Sequence, residues 1–160
     1  MKRALTTLLL PFALAACGTA ATNYGGGAAP SSPSTSATIS VGGSSLGQIL
    51  VDGNGKSLYL FEADTGTQST CSGACAQAWP PLTTTGAPRV AGAASPSLLG
   101  TSSRSDGTTQ VTYNGHPLYH FVGDNKPGDT NGEGSTAFGA GWDVLSPTGG
   151  KIEAQASGSY

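Results

Sequence analysis

The chain has 160 residues, of which 25 are glycine and only 10% are charged, and its formal net charge at pH 7 is −2. Many glycines and few charges argue against a helical bundle and favour strands joined by turns. Because the charge is slightly negative and no basic stripe is present, we expect neither nucleic acid nor anionic lipid headgroups as partners.

The N-terminal segment, residues 1–16, has the layout of a secretory signal peptide. Lys2 and Arg3 form a short basic start, and an apolar run from Ala4 to Leu14 follows. The run is shorter than the roughly 20 apolar residues that a membrane-spanning helix needs. We therefore predict that residues 1–16 are removed during secretion, which leaves an even more acidic mature chain.

The end of this signal resembles the bacterial lipobox, in the order Leu14, Ala15, Ala16, Cys17 and Gly18. In such signals cleavage precedes the cysteine, whose thiol receives a diacylglycerol. An ordinary signal peptide with a chance cysteine is the alternative. Two or three acyl chains, palmitate among them, would anchor the protein stably. We expect an extracytoplasmic protein, anchored to the outer leaflet of the bacterial cell membrane or to the outer membrane.

Residues 17–37 are predicted to form a lipidated, disordered tether. After Cys17 this stretch is almost entirely Ala, Ser, Thr, Pro and Gly, which leaves little to bury. A flexible segment of this length reaches roughly 25 Å. The tether would hold the following domain clear of the lipid headgroups.

Residues 38–154 are predicted to form one domain that contains an internal repeat. The stretch 55–64 matches 115–124 at glycine, leucine, tyrosine, phenylalanine and aspartate, all at identical spacing. A tryptophan follows each stretch, Trp79 in the first and Trp142 in the second. These matches place repeat 1 at about 44–84 and repeat 2 at about 104–147.

Turn residues indicate that each repeat is built on a β-hairpin. Asn114-Gly115 lies between alternating segments and favours a type I′ turn, and 52–55 has the same character in repeat 1. Alternation would place Tyr59, Phe61, Tyr119 and Phe121 on one face, with Leu58, Leu60, Leu118 and His120 on the other. We predict an all-β fold, one compact antiparallel domain of two pseudo-symmetric hairpin repeats, with one short helical turn near 71–78 and both tryptophans buried.

These residues resemble a family of bacterial secreted or lipoprotein tandem repeats with a Tyr-x-aromatic-x-x-Asp motif. The motif residues here are Tyr59, Phe61 and Asp64 in repeat 1, and Tyr119, Phe121 and Asp124 in repeat 2. The cysteine-containing stretch 71–82 and the stretch 106–119 are also similar to that family. The resemblance implies a two-repeat lipoprotein, but it implies no catalytic residue because the family's function is uncharacterised.

Cys71 and Cys75 are the cysteines that remain once Cys17 carries lipid. In an oxidising compartment an even pair predicts a structural disulfide. A redox-active or metal-binding pair is the alternative, although Cys-x-x-Cys spacing and nearby histidines are missing from the sequence. Gly73 between them would help the backbone to leave helical geometry.

The densest polar stretch is 124–134, and it offers a speculative Ca²⁺ site. Asp124, Asp129, Asn131 and Glu133 supply the oxygen ligands that Ca²⁺ prefers. The twelfth-position glutamate of an EF-hand loop is missing, and such loops are common as simple turns. We favour the structural turn and predict no cofactor, with Ca²⁺ as the open alternative.

Asp64 and Asp124 occupy equivalent positions, where each could cap the following turn. An acid/base pair is the less favoured alternative. His116 and His120 would lie about 13 Å apart on one strand, too far to bind one metal together. Surface or packed histidines are therefore the favoured interpretation.

The sequence contains neither a Gly-x-Ser-x-Gly nucleophile motif nor a phosphate loop. We therefore expect a non-enzymatic binding or structural role in the cell envelope, with an envelope protein, a glycan or a small ligand as partner. A redox or metal-handling accessory, such as an electron-transfer protein or a metal carrier, is the alternative. A glycan-binding module would need Trp79 or Trp142 at the surface.

Overall fold

The computed structural model describes residues 35–152, which form eight short strands and one helix. The helix α1, Ala74–Ala78, confirms the predicted helical turn. Two 3₁₀ turns lie at Pro96–Leu98 and Ala137–Gly139. The strands are β1 Thr38–Ser44, β2 Gly47–Asp52, β3 Tyr59–Phe61, β4 Arg89–Val90, β5 Leu99–Ser103, β6 Thr109–Tyr113, β7 His116–Pro117 and β8 Trp142–Val144.

The strands form three small sheets in the orders β2-β1-β4, β3-β8 and β5-β6-β7. The pairs β1–β2 and β5–β6 are equivalent antiparallel hairpins, one in each repeat. The all-β, mainly antiparallel prediction is confirmed. A short parallel pairing of β4 with β1 departs from it, because the segment between the repeats returns to the edge of the first hairpin.

The turns that follow β2 and β6, which are those predicted from the sequence, have the conformations that their residues favour. Asn114 and Gly115 have φ of 49° and 82°, the two positive values that a type I′ turn requires. In repeat 1 a longer loop ends in Gly55 with φ of 80°, and Oδ1 of Asp52 accepts hydrogen bonds from the N–H groups of Asn54 and Lys56. Glycine suits this left-handed position because it has no Cβ.

The repeats exchange strands, which the sequence does not predict. The sequence predicts that the strand after each of these turns pairs with β2 or β6 along its whole Tyr-x-Phe segment. The observed pairing ends at Ser57 in repeat 1 and at Pro117 in repeat 2. Beyond these points β3 pairs with β8 of repeat 2, with Tyr59 opposite Val144. Tyr119 correspondingly bridges Pro81 of repeat 1. The strand that contains the motif tyrosine (the Tyr strand) therefore pairs, in each repeat, with the segment that contains the tryptophan (the Trp segment) of the other repeat.

Tyr59 and Tyr119 lie at the centre of this exchange. The N–H of Tyr59 donates to the carbonyl oxygen of Tyr119 at 2.9 Å, and the reverse bond measures 3.0 Å. Equivalent bonds flank them, from Leu82 to Leu118 and from Leu145 to Leu58. The backbone at the junction of the repeats is thus paired almost symmetrically.

The Tyr strands are buried on both faces, so the domain has two hydrophobic clusters. The aliphatic cluster contains Leu58, Leu60 and Leu118 together with Tyr113. The aromatic cluster contains Tyr59, Phe61 and Tyr119, with Phe121 partly buried against it. The predicted alternation of faces is confirmed for these residues.

Several predictions fall outside the described residues, namely the signal peptide, Cys17 and the tether up to residue 34. At the end of the assigned tether, the N–H of Thr35 donates to Thr85 and that of Ala37 donates to Thr84. Residues 35–37 therefore dock against the domain. Within residues 35–152, no helix is long and apolar enough to cross a membrane.

Candidate functional site

The motif tyrosines and aspartates form hydrogen bonds that cross between the repeats. The hydroxyl of Tyr59 donates to Oδ2 of Asp124 at 2.7 Å, and the hydroxyl of Tyr119 donates to Oδ2 of Asp64 at 2.7 Å. Strand exchange creates this geometry, because it brings each tyrosine hydroxyl beside the aspartate of the other repeat, while the ring packs on the tryptophan of its own repeat. The motif therefore closes only when both repeats are folded together.

Each motif aspartate also caps the turn that follows it. Oδ1 of Asp64 accepts the N–H of Thr70 at 2.7 Å, and Oδ1 of Asp124 accepts the N–H of Asn131 at 2.9 Å. The carboxylate oxygens are thus shared between a tyrosine of the other repeat and a backbone amide of their own. This arrangement favours the capping interpretation over the acid/base pair.

Four rings make consecutive contacts in the order Phe121, Trp79, Trp142 and Phe61, and we call them the aromatic row. Trp79 and Trp142 stack with ring centroids 4.0 Å apart and planes 5° from parallel. Phe121 lies 4.4 Å from Trp79, and Phe61 lies 4.1 Å from Trp142. Both tryptophans are buried, as predicted from the sequence.

The motif tyrosines pack edge-on against this row. Tyr59 lies 5.2 Å from Trp79, and Tyr119 lies 5.2 Å from Trp142, both in edge-to-face geometry that aromatic pairs favour. Burial raises the pKa of the Tyr59 phenol well above its ordinary value, and the bond to Asp124 adds to the effect. Burial likewise raises the pKa of Tyr119. Both phenols therefore keep their protons at neutral pH.

A disulfide joins Cys71 and Cys75, as expected, with their Cα atoms 5.3 Å apart. Both cysteines belong to the aromatic cluster. Gly73 between them has φ of 56°, the left-handed conformation that lets the chain close so short a loop. The disulfide fixes the segment that leads into Trp79.

Two surface grooves lie at the ends of the aromatic row and are related by the pseudo-symmetry. Phe121 lines one groove of about 440 Å³, which we call the His120 groove. Phe61 lines the other, of about 450 Å³, which we call the Glu62 groove. His116, by contrast with the expected shared face, lines the second groove, away from His120.

The two grooves differ at three repeat-equivalent pairs of residues. The His120 groove has Lys56, His120 and Val122 where the Glu62 groove has His116, Leu60 and Glu62. An ion pair of 2.9 Å between Lys151 and Glu62 crosses the Glu62 groove. In the His120 groove Val122 is 57% exposed. The His120 groove therefore combines an exposed apolar wall with polar groups, as ligand sites commonly do.

His120 is the titratable group of greatest interest in its groove. Burial lowers its pKa below the ordinary value, and the Asp52 carboxylate opposes that shift. Nε2 of His120 lies 3.9 Å from Oδ2 of Asp52. Nζ of Lys56 donates to the backbone oxygen of Asp124 at 2.6 Å, which holds a cation beside the motif.

The four side chains of the speculative calcium site have separate hydrogen-bond partners, and Nδ2 of Asn131 donates to the backbone oxygen of Gly123 at 3.2 Å. Oδ1 of Asp124 accepts the N–H of Asn131, and Oδ2 of Asp129 accepts the N–H groups of Asn125 and Lys126 at 2.9 Å each. Oε2 of Glu133 accepts the N–H of Val144 at 2.7 Å. Among residues 35–152, no group of three or more His, Cys, Asp or Glu side chains is arranged to hold a metal ion. The calcium site stays an untested hypothesis.

Sequence reasoning missed a buried network around Arg104. Its guanidinium donates to the backbone oxygen of Cys71, to Oγ of Ser69 and to Oε1 of Gln110 at 2.7–2.8 Å. The hydroxyl oxygen of Tyr119 lies 2.7 Å from Oγ of Ser69 and, since its own proton goes to Asp64, it accepts the hydrogen bond from Ser69. The available signal was a lone arginine beside Asp106-Gly107, which also fits an exposed turn. The network ties the disulfide loop of repeat 1 to the second hairpin.

One family model matches the chain twice, at residues 40–83 and 100–146, and its description is a secreted repeat of unknown function. The two stretches together cover more than half of the chain, and each contains one Tyr-x-Phe-x-x-Asp motif. Searches of curated proteins and of solved structures found no match to the chain.

Proposed function

The chain belongs to the Lipoprotein_15 family of secreted repeats of unknown function, and from that premise we propose a lipid-anchored envelope protein with a non-enzymatic binding domain. The anchor is the diacylglycerol on Cys17, in the outer leaflet of the cell membrane or in the outer membrane. The lipobox-like order Leu14 to Gly18 supports this part of the proposal. The binding site is the His120 groove.

The use of the motif residues supports a non-enzymatic role. Asp64 and Asp124 are the motif carboxylates, and each is held between a tyrosine hydroxyl and a backbone N–H. A general acid or base must reach a substrate proton. The oxygens of these two carboxylates accept hydrogen bonds that stabilise the fold. Turnover by the purified protein would refute this role.

The divergence of the two grooves is the observation that carries the binding site. The repeats preserve the residues that build the fold, yet they differ where the grooves face solvent. Val122 replaces Glu62, and His120 replaces Leu60, so one groove gains an apolar wall and a titratable donor. Lys56 adds a cation. Such a mixture suits a small ligand, or a projecting side chain of an envelope protein, with an apolar part and a polar part.

A site-specific photocrosslinking experiment tests this site in intact cells of the native host. The photoreactive residue p-benzoylphenylalanine replaces Val122 in one variant and Glu62 in a matched control. We expect a defined adduct, seen as a mass shift, from position 122 and none from position 62. Adding His120→Leu, which restores the repeat-1 residue, should abolish the adduct. Equal adducts at both positions, no adduct, or indifference to His120→Leu would count against the proposal.

A redox or metal-handling accessory is the second candidate. The aromatic row, the two Tyr–Asp bonds and the disulfide in the same cluster favour its redox form. The metal-handling form predicts stoichiometric metal in protein isolated from the native host.

A glycan partner requires an exposed aromatic ring, and the tryptophans are buried. Phe138, which is 49% exposed, is the large aromatic surface that such a partner could use. The site proposed here does not depend on it.

A further inference from the structure

The aromatic row and its two tyrosines have the arrangement required for one-electron oxidation inside a protein. Tryptophan and tyrosine are among the side chains most easily oxidised by one electron. Here two tryptophans stack at 4.0 Å, and a tyrosine contacts each at 5.2 Å. At such separations an electron passes readily from ring to ring, because their π orbitals are nearly in contact.

The tyrosines also have proton acceptors, which their oxidation demands. Removing an electron from a phenol makes it a very strong acid, so the electron and proton must leave together at neutral pH. Oδ2 of Asp124 and Oδ2 of Asp64 each lie 2.7 Å from the respective hydroxyl oxygen. Both tyrosine side chains are fully buried, so each hydroxyl has its carboxylate as a proton acceptor at hydrogen-bond distance.

We propose that the aromatic row is a one-electron relay in which Tyr59 and Tyr119 store an oxidising equivalent. This role goes beyond ligand binding in the His120 groove and does not depend on it. The reacting partner is a one-electron oxidant of the cell exterior, such as an oxidised transition-metal complex. A one-electron reductant restores the resting state.

The steps balance in electrons and protons. The oxidant accepts one electron from Trp79, which becomes a radical cation. Tyr59 then gives one electron to Trp79, and its phenolic proton moves along the hydrogen bond to Oδ2 of Asp124. The products are neutral tryptophan, a neutral tyrosyl radical and a protonated Asp124. Trp142, Tyr119 and Asp64 perform the same steps in the other half.

The row reaches the surface at its Phe121 end. Phe121 is partly exposed and lines the His120 groove, while it contacts Trp79 from within. An oxidant in this groove would be separated from Trp79 by one phenyl ring. The tyrosine rings lie deeper, since Tyr59 and Tyr119 are fully buried, while Asp124 and Asp64 each line a groove. The relay would thus admit an electron transfer while shielding the radical from solvent.

Flash oxidation of the full processed chain tests the relay directly. The chain has five tyrosines, so the background variant carries Tyr24→Phe and Tyr160→Phe and retains Tyr59, Tyr113 and Tyr119. A photo-oxidised ruthenium polypyridyl complex supplies the one-electron oxidant, and freeze-quench electron paramagnetic resonance identifies the radical. We expect a tyrosyl radical that forms more slowly in D₂O.

Tyr113 provides the matched control. It is also fully buried, but it lies in the aliphatic cluster and its hydroxyl donates to the backbone oxygen of Pro147, not to a carboxylate. Tyr113→Phe should retain the tyrosyl signal, which by elimination assigns the radical to Tyr59 and Tyr119. The pair Tyr59→Phe and Tyr119→Phe should lose it.

Loss of the signal in Tyr113→Phe, or its survival without Tyr59 and Tyr119, would overturn the relay. So would a tryptophan radical that never yields a tyrosyl radical. The Tyr113→Phe result is decisive even if the double variant does not fold, because it leaves the aromatic row untouched. The photocrosslinking outcome is independent of these measurements, so either proposal can fail alone.

Discussion

The hydroxyl of Tyr59 donates a hydrogen bond to Asp124, 65 positions further along the chain. Tyr119 makes the equivalent bond to Asp64. The Tyr-x-Phe-x-x-Asp motif is therefore a clasp between two repeats, in which each copy completes the other. A single repeat would leave its tyrosine and its aspartate without these partners.

Tyr59→Phe should destabilise the domain more than Tyr119→Phe does. The first change leaves Oδ2 of the buried Asp124 without its donor, which costs about 1–3 kcal/mol. Asp64 is only partly buried and retains Thr70, so water can replace the hydroxyl of Tyr119. Urea unfolding of both variants measures the difference. Equal losses would show that burial does not set the strength of the clasp.

Stability should fall at alkaline pH, starting near the ordinary phenol pKa of about 10. The folded state raises the pKa of Tyr59 and Tyr119, so these groups keep their protons while the unfolded chain loses them. The unfolded state then binds fewer protons, and raising the pH favours unfolding. Urea midpoints recorded across this range measure the slope. In the Tyr59→Phe variant the urea midpoint should fall less steeply with pH. A slope equal to that of the wild type would contradict the assignment of the effect to Tyr59.

Opening the disulfide should lower the free energy of unfolding by roughly 2 kcal/mol, the chain-entropy value for so short a loop. The Cys17→Ser protein is suited to this test because Cys71 and Cys75 are then its remaining cysteines. Thiol counting in air should find none, and two after reduction. Cys71→Ala with Cys75→Ala should match the reduced protein in stability. Two reactive thiols before reduction would refute the disulfide.

A structural turn at Asp129 and a Ca²⁺ site at Asp129 predict different effects of Ca²⁺ on the melting temperature. Asp129 accepts two backbone N–H groups, so Asp129→Ala should lower Tm by a few degrees with or without Ca²⁺. Asp106→Ala, which removes the carboxylate of a similar turn together with its ion pair to Arg104, is the control and should leave the response of Tm to Ca²⁺ unchanged. If millimolar Ca²⁺ raises the Tm of the wild type but not that of Asp129→Ala, the calcium site is established instead.

Replacing Cys17 should release the protein from the membrane without unfolding it. Cys17→Ser removes the thiol that receives the diacylglycerol, and at least two acyl chains are needed for stable anchoring. Fractionation of the native host, with metabolic labelling by an alkyne analogue of palmitate, measures both effects. Ser36→Cys, added to Cys17→Ser, is the control: it places a thiol outside the lipobox and should restore neither labelling nor membrane retention. Membrane retention of a Cys17→Ser protein from which residues 1–16 have been removed would contradict the anchor.

The local features of the fold were predictable from the sequence. The Asn114-Gly115 turn requires two positive φ angles, and few residue pairs accept them. Alternation in Tyr59 to Phe61 fixed which side chains share a face, because the side-chain period of a strand is two. Both effects act between neighbours in the chain, so no knowledge of the tertiary structure is needed.

The partners of those strands were not predictable from the sequence. Backbone donors and acceptors are alike in every strand, so the pattern at Tyr59 cannot distinguish the Trp segment of its own repeat from that of the other. Packing of the whole domain decides it, by stacking Trp79 on Trp142 and bringing Tyr59 to Asp124. The His120 groove arises in the same way, because Lys56 and His120 come from different repeats.

The sequence by itself thus determined the secretion signal, the repeat, its turns and the faces of its strands, because these depend on residues close together in the chain. The tertiary structure alone decided the crossed Tyr–Asp bonds, the aromatic row and the two unequal grooves. Those depend on contacts across 50 residues or more, where close packing and buried hydrogen bonds select one pairing from several that the sequence pattern permits.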